Sequence, residues 1–237
     1  MIDVWGKIYK DHWAGRTTRH EIERDDGLVT TFESAANYFK APRCEAERDL
    51  LKQLYGPVLD LAAGAGSYAL YLQNEGLHVT AADLSPGALD VCRARGCVDV
   101  TSIDLRALDI EPGSFRSVIV MGNTLGAHQT PETLRHFLLS LRRVVGLGGR
   151  LLFSMIDPLD THDESHLLYQ RTNIERGLPP GLIKMRVKYD RLVDDWMHLW
   201  MLTQQELISA MSETDWALLD QRHHGPLRIR LLESKTR

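Results

Sequence analysis

From Gly56 to Ile156 the sequence alternates short apolar runs with helix-forming stretches, and that rhythm leaves few folds open. Val58–Leu61, His78–Ala82, Val98–Ile103, Ser117–Met121 and Arg150–Ile156 read as strands, and Ser67–Asn74, Pro86–Ala94 and Pro131–Val145 as helices between them. Ser85 and Thr130 stand as capping hydroxyls before Pro86 and Pro131, each at a first helical position. Gly146, Gly148 and Gly149 stop the longest helix. Strands and helices in this alternation build βαβ units and a parallel sheet.

Three segments surround this core. Residues 1–55 read as an N-terminal cap, with the aromatic groups Trp5–Tyr9–Trp13 and Phe32–Tyr38–Phe39 flanking a charged stretch from Arg16 to Asp26, and a helix from Arg43 to Leu54. Residues 56–157 form the core. Residues 158–200 read as an inserted lid: polar to Pro179–Pro180–Gly181, then alternating from Ile183 to Val193 like an exposed strand, then apolar around Trp196–Leu202. The lid tryptophans and Met197 are expected to pack on Tyr38 and Phe39. Residues 201–237 supply a helix over Thr203–Ser212, with Glu206 completing a capping box, and one or two final strands over 216–233.

The core carries three acids at strand ends. Asp60 closes the first strand before the turn Ala62-Ala63-Gly64-Ala65-Gly66, Asp83 closes the second and Asp104 follows the third. Small residues let a ligand approach the backbone and let the helix pack on its strand. Open α/β sheets bind ligands in the crevice beyond the carboxyl ends of their strands, so the acids converge there. A carboxylate at Asp83 suits a ribose diol, and one at Asp104 an adenine amino group. An acid directly before the turn repels the pyrophosphate of a nicotinamide dinucleotide. It suits S-adenosylmethionine, which carries a sulfonium, an ammonium and no phosphate.

The segment from Val58 to Pro158 resembles the class I S-adenosylmethionine-dependent methyltransferases in strand order and strand-end motifs. The resemblance implies an α/β fold: a Rossmann-like, mostly parallel seven-stranded sheet with helices on both faces, an N-terminal helical cap and a lid insertion after strand 5. It implies that the Ala62–Gly66 turn, with Asp60 beneath it and Gly122 opposite, holds the methionine part. Asp83 then holds the ribose, Leu84 and Leu105 sandwich the adenine, and Asp104 meets its amino group. S-adenosylmethionine is the implied cofactor and S-adenosylhomocysteine its product. The chain departs from the family at Ala62 and Ala63, where glycine and often cysteine stand, and at Arg116, where aspartate is usual.

For the acceptor side, the loop after the fourth strand, Gly122-Asn123-Thr124-Leu125-Gly126-Ala127-His128, is similar to that of glycine and sugar-amine N-methyltransferases, one residue longer. Asn123 is the candidate for orienting an acceptor and His128 for removing its proton. Asp157, at the end of the fifth strand, is a candidate base or a turn residue before Pro158. Motifs for methylating adenine, glutamine or cytosine C5 are absent, which favours a small-molecule acceptor with an O or N nucleophile. The alternative is a regulatory or accessory protein that binds S-adenosylmethionine and transfers nothing.

Composition excludes little else. The formal net charge of -4 argues against nucleic acid, although Arg222, Arg228, Arg230, Lys235 and Arg237 make a basic group near the C-terminus. Three cysteines, Cys44, Cys92 and Cys97, at no metal-binding spacing read as reduced thiols. His162 and His166 stand at i and i+4, a metal-ligand spacing if helical, but without a third ligand, so no metal is expected. Without a signal-peptide pattern or a membrane-length apolar run, the expectation is a cytoplasmic monomer or homodimer with no membrane partner.

Overall fold

The computed structural model describes residues 2–235. The chain opens with α1 (Val4–Trp13), a hairpin of β1 (His20–Arg24) and β2 (Val29–Phe32), a 3-10 turn at Ala36–Phe39, and α2 (Glu45–Leu51). The alternating core follows as β3 (Val58–Leu61), α3 (Ser67–Asn74), β4 (Val79–Asp83), α4 (Pro86–Arg95), β5 (Asp99–Ser102), β6 (Ser117–Val120), α5 (Pro131–Val145) and β7 (Arg150–Ile156). The chain ends with α6 (Glu164–Glu175), β8 (Leu182–Tyr189), β9 (Leu192–Val193), β10 (Met197–Trp200), α7 (Gln204–Met211), β11 (Trp216–His224) and β12 (Leu227–Ser234).

The core is a seven-stranded sheet in the order β11-β12-β7-β6-β3-β4-β5. β3 through β7 pair in parallel, and β12 and β11 complete the edge antiparallel. The central strands are apolar throughout because helices cover both faces. Leu59, Leu61, Val118, Val120, Leu151 and Phe153 face one cluster with α5, while Val58, Ile119 and Leu152 face the other with α2 and α3 residues. α5 buries Leu134, Phe137, Leu138, Leu141, Val144 and Val145, a helical stripe behind the Thr130–Thr133 capping box. The strand order reverses between β3 and β6, which puts the ligand crevice at their carboxyl ends.

A second antiparallel sheet joins cap and insertion. Its order is β10-β8-β1-β2, with β9 on β8. The cap is therefore part helix and part hairpin, not helical throughout. The charged stretch hides a strand because its polarity is paired across the sheet. Glu21 stands opposite Lys188 and Glu23 opposite Arg186, and Glu23 takes ion pairs from Arg186 at 2.5 Å and Lys188 at 2.8 Å. The other face of β1 and β8 carries Ile22, Val187 and Tyr189 toward α1.

α6 escapes sequence reading for a related reason. Polar ties hold it in place of an apolar stripe: Tyr169 donates to Asp25 at 2.7 Å, Gln170 to the Pro158 carbonyl at 2.6 Å, and Asn173 to the Leu182 carbonyl at 2.8 Å. The expected contact of lid tryptophans with Tyr38 and Phe39 does not form. Trp200 enters the main core, and Trp196 lies under Lys184 and Arg186. Tyr38 and Phe39 instead pack on Trp5, Tyr9 and His12. The C-terminal basic group is largely neutralised: Arg222 pairs with Asp220, Arg228 with Asp160 and Lys235 with Glu233, and Arg230 bonds Gln204. Arg237 lies outside the described residues. Among the described residues no cluster of metal-ligating side chains occurs, and no helix is long and apolar enough to cross a membrane.

Candidate cofactor and acceptor site

The turn after β3 is built from left-handed residues, with φ of 56° at Ala62, 56° at Gly64 and 74° at Gly66. That explains the family's glycine where this chain has Ala62. A left-handed alanine costs on the order of 1 kcal/mol, partly offset by the lower entropy of its unfolded state. We expect Ala62→Gly to stabilise the fold by up to about 1 kcal/mol and Ala62→Val to destabilise it by at least about 1 kcal/mol. Urea unfolding checks both, and a destabilised glycine variant would contradict this account of the turn.

Gly66 has no room for a side chain. A Cβ there would lie 2.7 Å from Cys97 Sγ and 2.9 Å from Cys92 Sγ. The two thiols meet because α4 ends in a left-handed glycine: Gly96 N–H bonds the Arg93 carbonyl and Cys97 N–H the Cys92 carbonyl, each at 3.0 Å. The Cys92 thiol donates to the Gly64 carbonyl at 3.3 Å. The cysteines thus support the underside of the turn as small apolar groups, in keeping with reduced thiols.

Asp83 ties the turn to the second strand. Its Oδ2 accepts the Gly64 N–H at 2.8 Å and its Oδ1 the Ser85 N–H at 2.9 Å. Burial pushes this carboxyl up from its ordinary value, while the backbone N–H groups pull it down. Asp60 is only 2 % exposed and accepts the Ala69 N–H at 3.1 Å. Burial holds its carboxyl well above the usual carboxylate range, so Asp60 braces the start of α3 beneath the turn. Leu84 is exposed, and Leu105 is half-buried against the core.

Asp104 is engaged. Arg106 donates to it from Nε at 3.0 Å and Nη2 at 2.8 Å, and these bonds hold the carboxyl below its ordinary value. His128 sits on this side too. It stacks on Phe137 with centroids 4.1 Å apart, and its pKa is lowered to about 4 by burial and Arg106, with Asp104 opposing. An imidazole so hard to protonate is a poor proton acceptor near neutrality.

Gly122 faces open space, with φ of 74° and nothing within 4 Å of a built Cβ. Asn123, at φ 65°, uses its Oδ1 to accept the Ile156 N–H at 2.6 Å. Asp157 accepts the Leu159 N–H at 3.0 Å and the Gln204 N–H at 3.3 Å, which suits the turn reading better than a free base.

Two residues beside the site escaped sequence reading because they lie in the cap. Tyr9 leans over the turn, its hydroxyl 3.3 Å from where a Cβ on Gly64 would lie, and burial, then Tyr38 and Asp83, raise its pKa. Asp3 bonds the Gly6 N–H at 2.9 Å, the Ser85 hydroxyl at 2.7 Å and the Gly87 N–H at 2.8 Å, joining the starts of α1 and α4. His20 lies deeper in the same aromatic group, edge-on to Trp5. Repeated apolar spacing in the first thirteen residues signals a helix but not what it covers.

Such a crevice suits S-adenosylmethionine: it is acidic, open at Gly122 and small-residue at the turn. Comparison with known proteins agrees. A family model for the methyltransferase domain matches residues 58–149. A demethylmenaquinone methyltransferase from Clavibacter sepedonicus is 31% identical over 54% of this chain and 51% of its own length. A malonyl-[acyl-carrier protein] O-methyltransferase from Serratia marcescens is 28% identical over 59% and 56%. The chain thus spans about half the length of the curated relatives it matches. The solved structure of a SAM-dependent methyltransferase from Bacteroides fragilis, in complex with S-adenosyl-L-homocysteine, superposes with a TM-score of 0.82 at 20% identity, covering 99% of this chain and 95% of that one. That likeness takes in the cap and the insertion as well as the core. Residues 58–149 thus match a methyltransferase domain, and the chain has the fold of the class I S-adenosylmethionine-dependent methyltransferases.

Proposed function

We propose that the whole chain is an S-adenosylmethionine-dependent methyltransferase acting on an O or N atom of a small molecule. The observation that carries this is the Asp83 carboxylate, which ties the Gly64 turn to the end of β4 at the carboxyl edge of the sheet. Bound S-adenosylmethionine supplies an electrophilic methyl on sulfur and leaves as S-adenosylhomocysteine. Ala62, Gly64, Gly66 and Gly122 take the methionine part, and Asp60 braces that turn from below. Asp83 takes the ribose hydroxyls, and Leu84, Leu105 and Asp104 the adenine, once Arg106 yields the carboxylate. The Asn123 amide orients the acceptor, and catalysis rests chiefly on positioning. The curated relatives' names point to small-molecule or carrier-bound acceptors. The net charge of -4 and the pairing of Arg222 and Arg228 with acids support a reading without a nucleic-acid partner. The reading includes a cytoplasmic monomer or homodimer, with residues 158–200 covering the acceptor.

A second reading has support. His128 is hard to protonate and Asp157 is tied into a turn, so neither expected base is free, as in a protein that binds without transferring. Transfer of labelled methyl to any acceptor separates the two. Asp83→Ala is expected to weaken S-adenosylhomocysteine binding by about 1–3 kcal/mol, since charge-assisted bonds to two hydroxyls are lost. Isothermal titration reads this directly, and an unchanged Kd in a folded variant would place the ribose elsewhere.

A further inference from the structure

Cys92 and Cys97 meet at the end of α4. The helix closes in the Schellman pattern: Gly96 is left-handed at φ 98°, its N–H bonds the Arg93 carbonyl, and the Cys97 N–H bonds the Cys92 carbonyl. This closure sets the residue four before the glycine against the residue one after it, and an apolar pair commonly fills the contact. Here both positions are cysteine. A Cβ built on Gly66 would lie 2.7 Å from the Cys97 Sγ and 2.9 Å from the Cys92 Sγ, so both sulfurs crowd one point under the cofactor turn. They differ in access. Cys92 is fully enclosed, whereas Cys97 is 7% exposed and stands between exposed Gly96 and Val98.

Each sulfur is tied to the turn. The Cys92 thiol donates to the Gly64 carbonyl at 3.3 Å, and the Cys97 sulfur lies 3.8 Å from the Gly66 carbonyl oxygen. Gly64 is therefore held at both ends, its N–H by Asp83 and its carbonyl by Cys92. The sulfurs also differ chemically. A thiolate on Cys97 accepts the Cys92 S–H, which holds Cys97 below its ordinary value; burial opposes this and the Arg95 cation assists. The same bond, together with burial, pushes the Cys92 thiol up. Arg95 is fixed in place by bonds to the Ala65 and Phe39 carbonyls. Cys97 is thus the nucleophile, and Cys92 is the second thiol beside it. In that arrangement a first oxidation is resolved as a disulfide.

We propose that Cys92 and Cys97 are a modification site, joined as a disulfide by a hydroperoxide, and that the disulfide lowers the affinity of the chain for S-adenosylmethionine. This rests on the methyltransferase reading above. In the first step the Cys97 thiolate attacks one peroxide oxygen. A sulfur–oxygen bond forms, the oxygen–oxygen bond breaks, and the departing oxygen takes a proton and leaves as water or an alcohol. In the second, the Cys92 sulfur attacks the Cys97 sulfenic acid. The sulfur–sulfur bond forms, the sulfur–oxygen bond breaks, and water leaves with the Cys92 proton. The two thiols lose two electrons between them, and the peroxide takes both. A disulfide has no S–H, so the Gly64 carbonyl loses its donor. Drawing the sulfurs to bonding distance also shifts the support under Gly66. A thiol reductant reverses the change.

The test uses the full chain, hydrogen peroxide in small molar excess, and S-adenosylhomocysteine as the probe ligand. After treatment, peptide mapping should find Cys92 linked to Cys97 with Cys44 still free. Isothermal titration should find the Kd for S-adenosylhomocysteine raised roughly five- to twentyfold, as expected when a hydrogen bond and the packing behind it are lost. Dithiothreitol should restore both. Each variant is compared with its own untreated form. In Cys97→Ala, peroxide should leave the Kd within about twofold; in Cys44→Ser it should act as in wild type. Cys97→Ser serves if the alanine variant does not fold. A disulfide to Cys44, or free thiols at both Cys92 and Cys97 after treatment, overturns the site. A mapped Cys92–Cys97 disulfide with an unchanged Kd overturns the control of affinity, as does a loss of affinity that persists in Cys97→Ala. Failure of the untreated chain to bind S-adenosylhomocysteine overturns the underlying reading and the control built on it, while the peptide map still decides the disulfide.

Discussion

Gly64→Val is expected to raise the Kd for S-adenosylhomocysteine more than 100-fold, a loss above about 2.7 kcal/mol. Three effects act together. The position has φ of 56°, where a β-branched residue is strained by about 1–2 kcal/mol or more. A built Cβ already touches the Tyr9 hydroxyl at 3.3 Å, so two further methyls have to displace the ring or fill the crevice. Relaxing the strain moves the Gly64 N–H off Asp83 and loosens the carboxylate meant for the ribose. Thermal melting with and without ligand reads the result: the parent gains Tm and the variant does not. A preserved ligand-induced gain would show that this turn does not hold the methionine part.

The second large effect concerns the seat of the cap. α1 crosses α4 at two glycines, and a Cβ on Gly87 would lie 2.6 Å from the Gly6 Cα and 2.8 Å from its carbonyl carbon. Backbone is on the receiving side, so no rotamer change relieves the clash. Gly87→Ala is expected to cost about 2–4 kcal/mol, or a Tm lower by roughly 5–15 °C at this size. It should also weaken S-adenosylhomocysteine binding, because α1 carries Tyr9 over the turn and Asp3 onto Ser85. Calorimetry of melting and of binding gives both numbers. A melting temperature within a degree or two of the parent would mean that the helices do not meet as closely as described.

These expectations lean on parts of the molecule that differ in how openly the sequence shows them. The core strands, their helices and the strand-end acids were legible because parallel sheets demand continuous apolar runs and left-handed turns demand small residues. Val58–Leu61, Ser85 and the Thr203–Glu206 capping box fall where the pattern puts them. β1 was hidden because its outward face is charged and β8, the strand whose cations balance that charge, lies far along the chain. α6 was hidden because Asn173 and Gln170 hold it by polar bonds that no spacing rule reports. His128 was legible as a loop histidine. Its distance from proton-accepting duty was not, because that depends on Phe137 and Arg106 arriving from other elements.

The sheet shared by cap and insertion has a consequence for how the protein is made. Glu21 pairs with Lys188, so the β1–β2 hairpin waits for more than 160 residues of chain before β1 finds its second partner strand, β8. At ribosomal speeds of about 5–20 residues per second, that is roughly 10–30 s during which the nascent N-terminus holds its apolar face of Ile8, Tyr9 and Ile22 without the strand that covers it. The glycine turn and α4 emerge about midway, so α1 has a surface to rest on well before its sheet exists. A slow-translating stretch placed after residue 100 would therefore lengthen exposure of the hairpin alone, and the first 35 residues are where a chaperone should be found on the stalled chain.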